Sequence, residues 1–205
     1  MVEYWEARYA ERPLERAGKA VFEEWYAPYS AMRDVLLPLL KPTDRILHVG
    51  CGQSRLGFDL YADGFCNVLN MDISEACVSQ LAARYANSAP KMHFRVMDMM
   101  DLECEDETVE MIVDKGGIDA LMCTGSTLAN AEACIAEFLR VLVPGGSYFV
   151  ATRQARTTSV LGQQTAGWKV KVQEVDVPQS RPLTIIVLTK RGPPSTVPTP
   201  ADQPP

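Results

Sequence analysis

The chain has 205 residues, 47% of them hydrophobic and 22% charged, with a formal net charge of -6. At roughly 150 residues per domain, this is material for one domain with an ample core. Its Lys and Arg residues gather into no dense run, which excludes nucleic acid as the expected partner, because phosphate binding needs clustered positive charge.

Residues 1–40 read as an amphipathic helical cap, with aromatic weight from Trp5, Tyr9, Phe22, Trp25, Tyr26 and Tyr29. Lys41-Pro42-Thr43-Asp44 ends it, since proline cannot continue a helix. Residues 45–49 form a short apolar run closed by glycine, the pattern of a buried parallel strand. A helical period covers 56–63, and Gly64 follows as a stop. The alternation then repeats: strand 67–71, helix 75–85, strands 92–96 and 109–113, helix 130–142. Pro144-Gly145-Gly146 predicts a tight turn into a strand at 147–152. Two more β-rich stretches, 168–177 and 183–188, follow a polar segment. Such alternation predicts a Rossmann-like, doubly wound α/β sheet, mostly parallel, with an antiparallel hairpin at its C-terminal edge. One domain over 1–191 is expected, followed by a disordered tail over 192–205 that holds six of the 14 prolines.

No apolar run approaches the roughly 18 residues that a membrane span requires, so no membrane association is expected. The opening Glu3-Tyr4-Trp5-Glu6 does not read as a signal peptide. The six cysteines at 51, 66, 77, 104, 123 and 134 form no C-x-x-C pair and no Cys/His cluster, so no metal site is expected. Free thiols suit a reducing compartment, hence a cytoplasmic location.

The chemistry concentrates at three strand ends. After the first predicted strand, Gly50-Cys51-Gly52 lets the backbone turn sharply and a ligand approach without meeting a Cβ. The dinucleotide fingerprint needs a third glycine at 55, where this chain has Arg, and that counts against a nicotinamide oxidoreductase. Asp72 ends the second strand about twenty residues on, where a doubly wound fold places a carboxylate against ribose hydroxyls. Asp72 or Ser74 could alternatively cap the next helix; a capping Ser74 leaves Asp72 for the ligand. Past the third strand, Asp98 can accept from an adenine amine while the neighbouring methionines pack on the ring.

These residues resemble a known pattern. Ile46-Leu47-His48-Val49-Gly50-Cys51-Gly52-Gln53-Ser54, Met71-Asp72-Ile73-Ser74 and Asp98-Met99 are similar to the first three motifs of class I S-adenosylmethionine-dependent methyltransferases. Asp114-Lys115-Gly116-Gly117-Ile118-Asp119-Ala120-Leu121, the opening Tyr4-Trp5-x-x-x-Tyr9 and the later Trp25-Tyr26 resemble the branch that includes the elongation-factor lysine methyltransferases. The resemblance implies S-adenosyl-L-methionine as cofactor, with Gly50 and Gly52 at its methionine end, Asp72 and Ile73 at the ribose, and Asp98 and Met99 at the adenine. It further implies that Trp5 and Tyr9 close over the donor and that Lys115 sits near its amino-acid end. Gly117 stands where relatives often carry Thr, and 152–167, which should line the acceptor site, matches weakly.

Methyl transfer is an in-line displacement from an already activated donor, so alignment of the nucleophile is the main task. A lysine must also lose its proton, since its reference pKa is about 10.4. An aromatic pocket of Trp5, Tyr9, Trp25 and Tyr26 would favour the neutral amine. Asp119 is the carboxylate best placed by sequence to orient it. The resemblance thus implies N-methylation of a protein lysine, on an elongation-factor-like partner. A small-molecule methyltransferase, and a domain that keeps the fold but binds partners without catalysis, are the alternatives. The histidines, His48 inside a strand and His93 at the start of another, are not expected to be catalytic.

Overall fold

The structure, a computed structural model, describes residues 2–16, 19–123, 127–164 and 166–192. The N-terminal cap differs from its expectation. Helix α1 spans only Val2–Ala10, and two-residue strands β1 (Glu15–Arg16) and β2 (Lys19–Ala20) pair antiparallel after it. Residues 21–28 then run without regular structure, as a strap, before a 3-10 turn at Tyr29–Ala31, the short helix α2 (Arg33–Leu36) and a second turn at Leu37–Leu39. The physical reason is proline: Pro13 and Pro28 punctuate the aromatic pattern and deny it a continuous helix.

From there the expected alternation holds. The elements are β3 (Ile46–Val49), α3 (Leu56–Ala62), β4 (Val68–Asp72), α4 (Glu75–Tyr85), β5 (His93–Val96) and β6 (Val109–Lys115). After them come α5 (Gly117–Met122), α6 (Thr127–Val141), β7 (Leu142–Thr152), α7 (Ala155–Gly162), β8 (Trp168–Val175) and β9 (Leu183–Lys190). Strands β3 to β9 form one sheet in the order β5-β4-β3-β6-β7-β9-β8. The five on the β5 side are parallel; β9 pairs antiparallel with both β7 and β8. This is the α/β architecture expected, with β9 inserted between β7 and the edge strand β8.

Two details depart from the pattern. Pro144-Gly145-Gly146 lies inside β7 rather than before it. Pairing jumps from Val109↔Leu142 to Met111↔Ser147, so 143–146 buckle out as a bulge with Gly145 at φ 82. The polar stretch after β7 contains helix α7, whose buried Thr157 and Leu161 tie it to the core.

The central strands are buried on both faces, which is why they read as continuous apolar runs. Along β7, Phe149 and Ala151 join the core under α3 and α4, while Tyr148 and Val150 join the core under α5 and α6. Phe138 and Phe149 are fully buried, and burial of such a side chain contributes about 1.5–3 kcal/mol. Helix α3 approaches the sheet through Gly57, where a Cβ would lie 1.9 Å from Asn70 Oδ1. That glycine, two positions beyond the one the dinucleotide fingerprint demands, provides the close helix–strand contact. Among the described residues no helix is long and apolar enough to cross a membrane. The tail from 193 onward lies outside the described residues.

Candidate active site

The sheet order reverses between β3 and β6, and in open α/β sheets ligands bind at such a switch point, beyond the carboxyl ends of the strands. A cleft opens there, lined by residues from the ends of β3, β4 and β6 and from the loop after β5. Its floor is the turn after β3. Gly50 and Gly52 both adopt left-handed conformations, φ 54 and φ 48. A Cβ on Gly52 would stand 2.8 Å from the Tyr9 hydroxyl, so bare backbone faces the cleft.

Asp72, the last residue of β4, is only 6% exposed. Its Oδ2 accepts from Gly52 N at 2.9 Å and its Oδ1 from Ser74 N at 3.1 Å. Ser74 caps α4, its Oγ accepting from Cys77 N at 3.2 Å. The carboxylate therefore spends one acceptor position per oxygen on the backbone and keeps the others for a ligand. Burial raises its pKa, and the Gly52 and Ser74 N–H groups oppose the rise. Ile73 lines the cleft beside it, and Asp98 and Met99 line it past β5. Asp98 Oδ1 accepts from Met100 N at 2.9 Å, which fixes that loop.

The roof comes from the N-terminus. Trp5 and Tyr9 of α1 stack at 5.8 Å, Trp25 of the strap lies 5.8 Å from Trp5, and all three line the cleft. Burial, together with the Asp72 charge, raises the Tyr9 pKa. Two glutamates fasten this roof, and local sequence carried no signal for either. Glu6 Oε2 accepts from Ser74 Oγ at 2.6 Å, and its Oε1 from Ala76 N at 3.1 Å, at the start of α4. Glu24 accepts from Ser54 Oγ at 2.8 Å and Arg55 N at 2.6 Å, at the start of α3. Both carboxylates sit where helix termini favour negative charge.

Lys115 lines the cleft at the end of β6, with its ammonium turned to the strap. Its Nζ donates to Glu24 Oε2 at 2.5 Å and to the Trp25 carbonyl at 3.0 Å. Burial lowers its pKa, and Glu24 offsets part of the effect. Just before it, Asp114 is fully buried and caps α5, accepting from Gly117 N at 2.7 Å, Ile118 N at 3.0 Å and Tyr148 Oη at 2.9 Å. Burial and the nearby Asp119 push its pKa up to about 7.

Nine of the ten residues singled out by sequence thus meet in one cleft: Trp5, Tyr9, Gly50, Gly52, Asp72, Ile73, Asp98, Met99 and Lys115. Asp119, the tenth, does not line the cleft. It is 2% exposed and lies behind the cleft wall. Its oxygens accept from Tyr26 Oη at 2.8 Å, from Thr152 Oγ1 at 2.7 Å and 2.9 Å, and from Thr157 Oγ1. Three hydroxyls from distant parts of the chain occupy a carboxylate that sequence order had turned toward an amine.

His48 is buried, with Nδ1 2.9 Å from Asn70 Oδ1, and burial lowers its pKa to about 4. Cys51, Cys77 and Asp72 bring potential ligand atoms within 4.8 Å of one another. The Cys77 thiol beside it and burial push the Cys51 pKa well up.

A family profile described as "Methyltransferase domain" matches residues 46–146. Over 180 residues the chain is 31% identical to the EEF1A lysine methyltransferase 4 of Bos taurus, covering 83% of this chain and 68% of that protein. The chain belongs to the class I S-adenosylmethionine-dependent methyltransferases, in the branch of the eEF1A lysine methyltransferases. A second relative, the eEF1A lysine and N-terminal methyltransferase of Mus musculus, is 35% identical over 184 residues. That match covers 87% of this methyltransferase chain and 26% of the relative, so the chain spans about a quarter of that longer protein. A TehB-like S-adenosylmethionine-dependent methyltransferase from Corynebacterium glutamicum shares the fold at TM-score 0.61 and 20% identity, over 93% of this chain and 98% of that one. The family cofactor is S-adenosylmethionine, and the cleft fits it: the glycine floor is a cradle that a Cβ would fill, beneath aromatic rings and between two carboxylates.

Proposed function

We propose that this domain transfers a methyl group from S-adenosylmethionine to the side-chain amine of a lysine in a protein, with an elongation factor of the eEF1A kind as the substrate. The observation that carries the reading is the single cleft shared by the ends of β3, β4, β5 and β6. In it, Asp72 holds the ribose hydroxyls, Asp98 and Met99 hold the adenine, and the Gly50–Gly52 turn admits the methionine end. Trp5, Tyr9 and Trp25 cover the donor and exclude water. Lys115 acts through Glu24, keeping the strap closed.

The bound sulfonium supplies an electrophilic methyl group, so the chain's own residues have to align and desolvate the nucleophile. Alignment of this kind contributes several kcal/mol, up to about 7–11 in ideal intramolecular systems. The aromatic walls disfavour an ammonium and so favour the neutral amine that attacks. The names of the relatives support a protein lysine as the acceptor. All six cysteines are unpaired, which suits the reducing cytoplasm where we place the domain.

Isothermal titration with S-adenosylhomocysteine, with NAD as control, tests the donor site. Micromolar binding of the former alone is expected. Transfer of tritiated methyl to purified eEF1A, followed by peptide mass spectrometry, tests the acceptor; label on a small molecule instead would redirect the substrate assignment.

A further inference from the structure

A third acidic residue lines the donor cleft besides Asp72 and Asp98: Glu23 of the strap. It stands beside the turn that admits the methionine end, for its backbone N donates to the Gln53 carbonyl at 3.2 Å, one residue past Gly52. Burial and the Asp72 charge raise the Tyr9 pKa, and the Glu23 charge adds to them. The Glu23 carboxylate is therefore within electrostatic reach of the phenol that lies over Gly52.

The two oxygens of this carboxylate are used unequally. Oε1 accepts from Arg8 Nη2 at 2.6 Å and from Arg12 Nη1 at 2.9 Å. Oε2 is buried and has no hydrogen-bond partner among the described residues. A buried acceptor without a donor is costly, the more so when it carries charge, so such an atom in a native site calls for a partner. The neighbouring charges cannot supply one. Lys115 donates to Glu24, and Glu24 also accepts from Ser54 Oγ and Arg55 N.

We propose that Glu23 Oε2 accepts a hydrogen bond from the α-ammonium at the amino-acid end of S-adenosylmethionine. This inference rests on the methyltransferase reading above. An ammonium offers donors and no acceptor, which suits a lone carboxylate oxygen. Arg8 and Arg12 against one glutamate leave a positive charge beside Oε2, and the donor's own carboxylate, next to its ammonium, offsets it. A zwitterion thus fits this corner better than an isolated cation does. The donor and its demethylated product both carry the ammonium, so the contact contributes to binding and leaves the chemical step unchanged.

The test compares S-adenosylhomocysteine with its des-amino analogue, which carries hydrogen in place of the α-ammonium. By calorimetry, wild type is expected to bind the former about tenfold or more tighter, as for a hydrogen bond to a charged group. Glu23→Gln keeps an oxygen for the arginines and removes the charge. It is expected to lose about tenfold in S-adenosylhomocysteine affinity and to hold the analogue within about twofold, so the preference collapses. Arg12→Met removes an ion pair of Glu23 but leaves its carboxylate, and keeps the preference. Equal loss of both ligands in folded Glu23→Gln would mean that Glu23 only fastens the strap, and overturns the proposal. Unchanged S-adenosylhomocysteine affinity overturns it too. Wild-type protein that binds neither ligand overturns the methyltransferase reading instead.

Discussion

Glu24 of the strap and Lys115 at the end of β6 meet at 2.5 Å across 91 residues of sequence, with the lysine side chain 2% exposed and the glutamate 25%. This ion pair joins the roof of the donor cleft to the sheet. Removing one partner of a buried pair leaves an uncompensated charge, which costs about 3–5 kcal/mol when both are fully buried.

Glu24→Gln is therefore expected to destabilise the fold by roughly 1–3 kcal/mol, the partial exposure of Glu24 lowering the cost. Lys115→Met loses less, because an apolar side chain of similar length fills the space and Glu24 stays on the α3 terminus. Both weaken S-adenosylhomocysteine binding by loosening Trp25. Thermal melts and calorimetry check this; a Glu24→Gln protein with wild-type melting temperature and affinity would show that the strap is held by its apolar contacts alone.

Asp72→Asn keeps one of the two oxygens that accept from the backbone, sets an NH2 against the other backbone N–H, and removes the charge offered to the ribose. Charged hydrogen bonds contribute about 1.5–3 kcal/mol each, so a loss of roughly tenfold or more in S-adenosylhomocysteine affinity is expected. The melting temperature should change less than the affinity does. Undiminished calorimetric affinity in the folded variant would remove Asp72 from the donor site.

Gly52→Ala introduces a Cβ 2.8 Å from the Tyr9 hydroxyl at a left-handed position, where an L side chain costs about 1–2 kcal/mol. It should displace Tyr9 and weaken donor binding. Adding Tyr9→Phe removes the clashing oxygen and is expected to restore part of the affinity, a coupling that a double-mutant cycle measures. Additive losses would mean that the ring and the loop do not touch in solution.

Asp114 supplies a pH signature. Burial raises its folded pKa from 3.8 to about 7, so between those values the folded state holds more protons than the unfolded one. Its ionisation therefore opposes folding as pH rises through that window, and the penalty is complete above about 7. Relative to Asp114→Asn, wild type should gain stability on going from about pH 8 to about pH 5. Paired denaturation curves at both values check the sign; a gap that is constant or moves the other way would place an ionised Asp114 in the fold across the whole range.

Repeated local pattern made the sheet and the donor cleft legible. The runs ending at Val49, Asp72 and Val96 are parallel strands of one doubly wound unit, and their following loops carry the glycines and acids. In such a sheet the carboxyl end of each strand has a known address, so spacing alone brings Gly50, Asp72 and Asp98 together. The cap was misread because aromatics at helical spacing suggest a helix wherever they occur. Trp5 and Tyr9 do lie on one, whereas Trp25 and Tyr26 lie on an irregular strap between prolines.

The sequence by itself determined the doubly wound sheet and the glycines and carboxylates that gather at its strand ends, because these depend on periodicity and spacing over a few tens of residues. Only the tertiary structure decided what Glu6, Glu24, Tyr26 and Asp119 do. Their partners lie 30 to 93 residues away, and a single side-chain contact between distant segments imposes no period on the chain. Asp119 shows the consequence: its place in a helical first turn was readable, but the three hydroxyls that claim its oxygens converge only when strap, β7 and α7 pack against α5.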